Sequence, residues 1–494
     1  MGFRFKRMAL RNRDDKRTAA AELTLRESIY PLCLVTILFF LWGFSYGLID
    51  TLNKHFQLTL GITRSRSSGL QAAYFGSYPL ASLGHANWIL RHYGYKAVFI
   101  WGLFLYGLGA LITWPCLVYK SFGGFCAATF VIGNGLGSLE TAANPYLAVC
   151  GPPKYSEIRI NIAQAFNGIG TVVAPVLASY VFFKNVGDDE GSLKNVQWTY
   201  LAIACFVYLL AIVYYFSPIP EITDADMAFQ AETTHAGTDV KPFRKQYRLF
   251  HAAFAQFCYT GAQVAIAGAF INYVTETRFL NGKATTADTA SRFLAGAQGA
   301  FTLGRFGGSA LMRFVKPRYV FLVFMTMCII FIIPSITGRG NTGMSMLYIV
   351  LFFESIIFPT IVALGMRGLG SYSKRGSGLI VAGVAGGAVV PPLLFAASDS
   401  LNSYPDSRGY YSKPPTAIAM TVPMAFFIAA WSYPFCVNFV PAYRNVADAF
   451  LTTEVGITNA HANDLENHSG ILEAGSGKDA SPARTETVDA EKKV

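Results

Sequence analysis

Charged residues are scarce in this sequence. Only 14% of its 494 residues are Asp, Glu, Lys or Arg, whereas 53% are hydrophobic. Soluble domains carry about 25% charged residues, so this chain has too few charges to wet the surface of an ordinary soluble enzyme. The charges also cluster at the two ends, in one central stretch and in short joins between apolar runs. This pattern excludes a disordered protein and predicts a polytopic membrane protein.

The sequence also lacks the patterns of disulfide, metal and enzyme sites. None of its eight cysteines belongs to a C-x-x-C pair, and nearly all lie inside apolar runs, so we interpret them as small hydrophobic residues. We find no Ser-His-Asp set, metal-ligand cluster or phosphate-binding loop. The net charge of +11 comes without a basic–aromatic platform. We therefore predict no enzyme activity, no cofactor, no metal site and no nucleic-acid partner.

Twelve apolar runs are long enough to cross a bilayer, which takes about 20 mainly apolar residues. These predicted spans, numbered 1 to 12 in chain order, lie near 29–53, 67–90, 96–118, 124–150, 158–183, 197–217, 248–274, 290–314, 318–337, 344–368, 375–398 and 415–440. An even number of spans puts both termini on one side. The Lys/Arg cluster before span 1 predicts that this side is the cytoplasm, although Lys54, Arg64 and Arg66 run against this rule.

The spans divide into two sets of six. Residues 218–247, the longest internal polar stretch, separate a predicted bundle at 29–217 from a second at 248–440. We expect 218–247 to be a central cytoplasmic loop and residues 1–28 to be a basic cytoplasmic segment. The acidic stretch 441–494, rich in Gly, Ser, Thr and Ala, has the composition of a disordered cytoplasmic tail. We predict a monomer in the plasma membrane, in contact with lipid.

Three short patterns recur in equivalent spans at nearly one offset, 214–222 positions. The pairs are 90–96 with 312–318, Glu140 and 144–146 with Glu354 and 358–360, and 170–175 with 387–392. Their order predicts an all-α membrane protein of two pseudo-symmetric six-helix bundles. This is the arrangement of the major facilitator superfamily, in which the binding site lies at mid-membrane between the halves.

Two carboxylates inside the spans follow glycine stripes. Asp50 lies on the helical face of Gly43 and Gly47, and Glu140 lies on that of Gly133 and Gly137. A carboxylate at a helix centre costs about 2.5–3.5 kcal/mol on insertion scales, so it should face the bundle interior or a wet cavity. We predict proton coupling at both, since a desolvated carboxyl group can load and release a proton near neutral pH. The alternative is a structural carboxyl bonded to Ser, Asn or backbone, and the glycine stripes themselves are more often helix packing.

Two further charges lie deep in the second half, Arg305 in span 8 and Glu354 in span 10. Opposite charges at such depth can neutralise each other, and the sequence predicts a structural charge pair retained for assembly.

Polar side chains recur at helical spacing in spans 4, 5 and 7. Amides both donate and accept hydrogen bonds, which suits solutes rich in hydroxyl or carbonyl groups. The alternative is hydrogen bonding between helices, worth about 0.6 kcal/mol on average. We predict solute contacts at Asn144, Gln164, Asn167, Tyr259 and Gln263. Prolines at 145, 175, 359, 391 and 392 should break the spans and free backbone carbonyls near the cavity.

Six motifs carry a family resemblance: 40–43 followed by Asp50, and residues 139–146, 161–167, 256–263, 304–306 and 358–361. In these motifs the chain, from about 30 to 440, resembles the fucose permease (fucose–galactose–glucose:proton symporter) branch of the major facilitators. The resemblance implies alternating access with proton coupling. It also implies protonation at Asp50 and Glu140, and solute contacts at Gln164, Asn167 and Gln263.

The chain departs from this branch where sugar-transporting relatives tend to be polar near Gly47, aromatic near Ala267 and basic near Asn272. Glu354 is an additional acid. We predict a proton-coupled secondary transporter of a small organic solute, a hexose-type sugar taken up by symport. Two alternatives stay open: an efflux carrier that exchanges a secondary metabolite for protons, and a nutrient sensor that does not transport.

Overall fold

The computed structural model describes residues 25–150, 156–181, 189–223, 242–280, 283–338, 340–369, 372–401, 403 and 411–449. Most of the predicted basic segment, the predicted central loop and the predicted tail lies outside these residues. The described chain is helical, apart from short connections and a small antiparallel hairpin of Phe279–Leu280 with Lys283–Ala284.

Every predicted span is helical. Eight are single helices: span 1 is Leu25–Leu60, span 3 Tyr95–Val118, span 4 Phe122–Val149, span 5 Ser156–Val181, span 6 Asp189–Phe216, span 7 Tyr247–Thr277, span 8 Ala287–Leu311 and span 9 Pro317–Thr337. Short helices at Arg64–Ser67, Phe243–Lys245 and Pro441–Ala449 lie outside the spans.

The other four spans are interrupted. Span 2 consists of Gly69–Gly76, a π-helical turn Leu80–His85, and Ala86–Tyr93; span 10 of Gly340–Glu354 and Ile357–Met366; span 11 of Ser373–Ala382, Gly383–Ala385 and Gly386–Ser400; and span 12 of Pro415–Ala419 and Thr421–Phe439. The break in span 10 directly follows Glu354.

Ten helical segments in the described part are long and apolar enough to cross a membrane by length and composition. Spans 2 and 8 are not among them. Span 2 is divided into short helices, and span 8 carries Asp288, Arg292 and Arg305. Both spans pack across the interface between the two halves. Side chains at this interface contact protein instead of lipid, so polar and charged residues are tolerated there.

The spans pack in the same pattern in each half. Span 1 packs on span 5, and span 3 packs on spans 4 and 6; correspondingly, span 7 packs on span 11, and span 9 packs on spans 10 and 12. The interface between the halves, called the seam below, joins span 5 to span 8 and span 2 to span 11. The prediction of two pseudo-symmetric six-helix bundles is confirmed.

Spans 1 and 5 approach backbone to backbone through glycines. A methyl group on Gly43 would overlap the backbone carbonyl of Asn167, and one on Gly47 would lie 2.9 Å from Cβ of Ala174. The stripe in span 4 behaves likewise, because Gly133 meets the backbone of Tyr74 in span 2. Both glycine stripes are helix-packing faces, as small residues at membrane helix contacts usually are.

We expect Gly43→Ala to destabilise the protein. The new methyl group meets backbone, which cannot rotate away, and overpacking of this kind costs about 1–3 kcal/mol. Gly307→Ala in span 8 is the matched control, because a methyl group there meets nothing within 4 Å. Thermal unfolding of the detergent-purified protein should show a lower midpoint for Gly43→Ala and an unchanged or higher one for Gly307→Ala. Equal midpoints would refute close packing of spans 1 and 5.

Ion pairs close one end of the seam, called the Arg64 face. The Arg64 guanidinium lies 2.9 Å from Oε1 of Glu276 and 3.4 Å from Oδ1 of Asp399. The backbone N–H of Ser65 also donates to Asp399, and Thr416 donates to Glu276. Arg64 departs from the predicted charge asymmetry because the opposite half supplies it with two carboxylates.

Neutral hydrogen bonds close the other end, called the Lys374 face. The Asn87 side chain donates to the backbone carbonyl of Lys374 at 3.2 Å, and the Ser377 hydroxyl donates to the carbonyl of Thr141 at 3.1 Å. The two halves therefore touch at both ends of the seam.

We expect Arg64→Gln to loosen the Arg64 face. The lost ion pairs contribute together about 1–2 kcal/mol, which is about tenfold in the opening equilibrium. Hydrogen–deuterium exchange of residues 397–401 and 415–420, on the partner side, should become faster. Arg66→Gln is the control, since Arg66 is exposed on the same short helix. Unchanged protection in Arg64→Gln would show that the ion pairs do not hold this face closed.

Candidate functional site

Asp50 lies directly on the seam. Its side chain is 1% exposed, and neither carboxylate oxygen has a hydrogen-bond partner among the described residues. A methyl group on Gly268 of span 7 would lie 3.6 Å from Oδ1 of Asp50 and 2.6 Å from Nε2 of Gln71. The bare backbone at Gly268 thus lets Asp50 and Gln71 of the first half reach the second half.

Glu140 lines a small cavity between spans 1 and 4, with room for about one water molecule. The other lining residues are apolar: Leu38, Phe39, Trp42, Leu136, Leu139 and Ala143. Glu140 is 4% exposed, and within the described structure its carboxylate oxygens accept no hydrogen bond. Asn144, one turn further along, has an amide that is equally unpartnered there. An unpaired ionised carboxylate is costly in such surroundings, so the site is suited to holding a proton or a polar ligand.

Arg305 bridges the seam between spans 8 and 5. Its guanidinium donates to Oε1 of Gln164 at 3.0 Å, to Oδ1 of Asn167 at 2.6 Å, and also to the backbone carbonyl of Gln164. It lies 4.4 Å from the Phe301 ring centroid and is 1% exposed. The polar side chains predicted on span 5 therefore accept hydrogen bonds from an arginine of the opposite half.

Arg305 and Glu354, predicted as a structural charge pair, make no direct ion pair within the described residues, and their pairing stays a prediction. The planar guanidinium group instead donates hydrogen bonds to neutral oxygens of span 5, and to the carbonyl of Ser355 at 2.9 Å. Glu354 lies at the helix break, 1% exposed, and its Oε2 has no partner within the described residues. Arg305 still lies within electrostatic range of both Glu354 and Glu140.

Two prolines supply the carbonyl groups that tie the seam. Pro359 has no N–H for the carbonyl of Ser355 four residues earlier, and Arg305 occupies that carbonyl instead. Pro145 likewise leaves the carbonyl of Thr141 unused by its own helix, and Ser377 of the other half donates to it. The same device appears at matching positions of spans 4 and 10.

Tyr259 and Gln263 lie on span 7, both buried. The Tyr259 hydroxyl donates to the backbone carbonyl of Glu354 at 2.5 Å, and its ring stacks on Phe427. Tyr259, Gln164 and Asn167 are thus all engaged in contacts between helices in this structure. Their contacts with a solute stay a prediction, as do those of Asn144 and Gln263.

Three features of the site escaped the sequence analysis: Tyr46, Gln71 and an aromatic contact across the seam. Tyr46 and Gln71 are the polar side chains that face Asp50. The indole N–H of Trp42 donates to the Tyr78 hydroxyl, and the Trp42 ring lies 6.0 Å from that of Phe358 in span 10. Gln71 could have been found, because it is an amide within an otherwise apolar run.

The family model of the Major Facilitator Superfamily matches residues 35–392. Among curated proteins, the chain is 31% identical over 404 residues to the L-fucose-proton symporter of Escherichia coli. The aligned region covers 78% of this chain and 90% of that protein. It is 30% identical over 377 residues to a glucose/galactose transporter of Brucella abortus, covering 75% and 88%. These relatives are transporters and not enzymes.

Solved structures match over a similar extent. The major facilitator transporter FucP in the outward conformation superposes with a TM-score of 0.64 at 29% identity, covering 83% of this chain and 98% of that chain. The proton:xylose symporter XylE matches with a TM-score of 0.59 at 12% identity, covering 83% and 96%. The second match supports the fold alone.

Proposed function

This chain belongs to the major facilitator superfamily, in its fucose permease-like branch, and from that premise we propose that it carries a hexose-type sugar together with a proton by alternating access. The observation that supports the proposal most strongly is the pair of buried, unpartnered carboxylates, Asp50 and Glu140. They belong to a chain whose relatives are named as a fucose–proton symporter and as glucose/galactose transporters.

In this proposal the proton makes the carboxylates compatible with a closed seam. Within the described residues neither Asp50 nor Glu140 forms an ion pair, so an ionised carboxylate there would be buried at high cost when the halves close. A protonated one is neutral and can donate a hydrogen bond. The carrier with sugar and proton bound therefore closes more readily than the carrier with sugar alone, and this difference couples the two fluxes.

The amides of span 5 would change partners during the cycle. In the closed seam, Gln164 and Asn167 accept hydrogen bonds from Arg305. When the seam opens, these groups become available to sugar hydroxyls, which both donate and accept. When no solute is bound, Arg305 thus supplies the hydrogen bonds that the side-chain oxygens of Gln164 and Asn167 would otherwise accept from the solute.

Alternating access requires the two ends of the seam to open in turn. The ion pairs of the Arg64 face and the hydrogen bonds of the Lys374 face are the contacts that would break. We place the Lys374 face and both termini in the cytoplasm, the carrier in the plasma membrane, and the complete transport path in one chain. The similarity to the L-fucose-proton symporter supports symport.

Purified protein in liposomes tests this proposal. With an inside-alkaline pH gradient, we expect labelled L-fucose, D-galactose or D-glucose to accumulate inside, and a protonophore to collapse the accumulation. Protein-free liposomes are the control. If none of the three sugars accumulates, or if accumulation survives the protonophore, the proposal of a proton–hexose symporter fails.

A further inference from the structure

Glu354 is a buried acid for which the proposed cycle has no use. It ends the helix Gly340–Glu354, immediately before the break in span 10. The C-terminal end of a helix carries partial negative charge, so it does not offset a carboxylate placed there. Because Oε2 lacks a partner in the described part of the chain, an ionised Glu354 would keep one carboxylate oxygen buried without a hydrogen bond.

Titratable and charged groups from four spans face Glu354. They are Asp50 and Tyr46 of span 1, Tyr259 of span 7, Arg305 of span 8 and Cys328 of span 9. Arg305 is the cation of this set, and its Nε and Nη1 donate to Ser355, Gln164 and Asn167. Asp50, which belongs to the other half, lies within electrostatic range of Glu354.

Glu354 is also the counterpart of Glu140 in the second half. Each acid is followed five residues later by a proline, Pro145 or Pro359, in spans 4 and 10, which occupy equivalent places in their bundles. Each is buried beside the seam with a carboxylate oxygen that has no partner within the described residues. The two halves thus present a glutamate at equivalent positions, within a continuous helix in span 4 and at a helix break in span 10.

We propose that Glu354 is a second proton-binding site, the equivalent of Glu140 in the second half, and that its proton travels with the solute. The coupling part of this proposal rests on the proposed proton–sugar symport. Binding of a proton at Glu354 does not depend on it. Asp50 strengthens the case, because it lies within electrostatic range of Glu354 and two ionised carboxylates repel each other.

Carbodiimide labelling tests proton binding without any transport. Dicyclohexylcarbodiimide adds to protonated carboxyl groups in apolar surroundings, and peptide mass spectrometry locates the adduct. In the full-length protein at acidic pH we expect the adduct on Glu354, with less of it as the pH rises and none in Glu354→Gln. A Glu354 peptide that stays unmodified while the Glu140 peptide is labelled would overturn the proposal.

The proton-to-sugar ratio tests whether that proton is transported. Balancing a sugar gradient against a pH gradient in proteoliposomes gives the ratio, and Glu354→Gln should move one proton fewer per sugar while Glu354→Asp keeps the ratio. An unchanged ratio in Glu354→Gln would refute coupling at this site. If the wild type moves no sugar, the proposed symport fails while the labelling result stands. If Glu354→Gln does not fold, Glu354→Asp and wild-type labelling still decide proton binding.

Discussion

Glu140→Gln should remove one coupled proton and lower uphill sugar accumulation, while leaving sugar exchange intact. Glutamine keeps the shape and polarity of the side chain in the cavity between spans 1 and 4, but it neither binds nor releases a proton. Each coupled proton supplies about 1.36 kcal/mol per pH unit, which is about tenfold accumulation of sugar. In the variant the inside-to-outside ratio should fall by about tenfold per pH unit of gradient, whereas counterflow of labelled against unlabelled sugar should continue near the wild-type rate.

The matched control for Glu140→Gln is Asp288→Asn on span 8. Asp288 forms a partly exposed ion pair with Arg292 one turn away, so it does not meet the requirements of a buried proton site. The Asp288→Asn variant should accumulate sugar like the wild type. If Glu140→Gln concentrates sugar as strongly as the wild type, Glu140 is a structural carboxyl and carries no coupled proton.

Arg305→Met should stop both accumulation and exchange. Methionine fills much of the volume but leaves oxygens of Gln164, Asn167 and Ser355 without their donor in the closed seam. Each buried unsatisfied group costs about 1–3 kcal/mol, so the closed state should become rare. Counterflow should fall by at least about a hundredfold, and thermal unfolding of the purified protein should report any additional loss of stability.

Two further variants make the Arg305 experiment specific. Arg305→Lys keeps the charge but has no planar fork, so it should restore exchange only in part. Arg292→Met on the same span removes an exposed arginine and should exchange like the wild type. Wild-type exchange in Arg305→Met would contradict the bridging role of Arg305.

The fold could be predicted from hydropathy and internal repeats alone. Each apolar run became a helix, because a chain in lipid must satisfy its backbone within its own segments. Spans 2 and 8 were also correctly predicted, although they are too interrupted or too polar to qualify by helix length and composition. Their position across the seam explains this, since contact with the other half replaces part of the contact with lipid.

Partners of long side chains could not be predicted in the same way. The acids Asp50, Glu140 and Glu354 were recognisable, because burial of a charge in a span limits where it can face. The partner of Arg305 was not, since a flexible arginine reaches several helices and the sequence does not show which acceptors are unsatisfied. Pro359 could have identified one of these acceptors. A proline has no N–H for the carbonyl four residues earlier, so the carbonyl of Ser355 is free to accept a hydrogen bond from Arg305.

The sequence predicted that the glycine stripes pack against other helices, but it did not predict which helices they contact. Gly43 and Gly47 lie on the face of Asp50, yet they contact Asn167 and Ala174 of span 5. The lack of a polar group near position 47 therefore reflects close packing of two helices rather than a change in the wall around the sugar. Which helices meet is a property of the tertiary fold, and a single sequence does not contain it.

The linkage between sugar and proton movement is tested most directly by recording external pH while sugar is added to proteoliposomes without any starting gradient. The account predicts that the medium becomes more alkaline as protons enter with the sugar, and that Glu140→Gln lowers the number of protons taken up per sugar. Sugar entry at constant external pH would contradict the account, because the buried carboxylates would then carry no protons across the membrane.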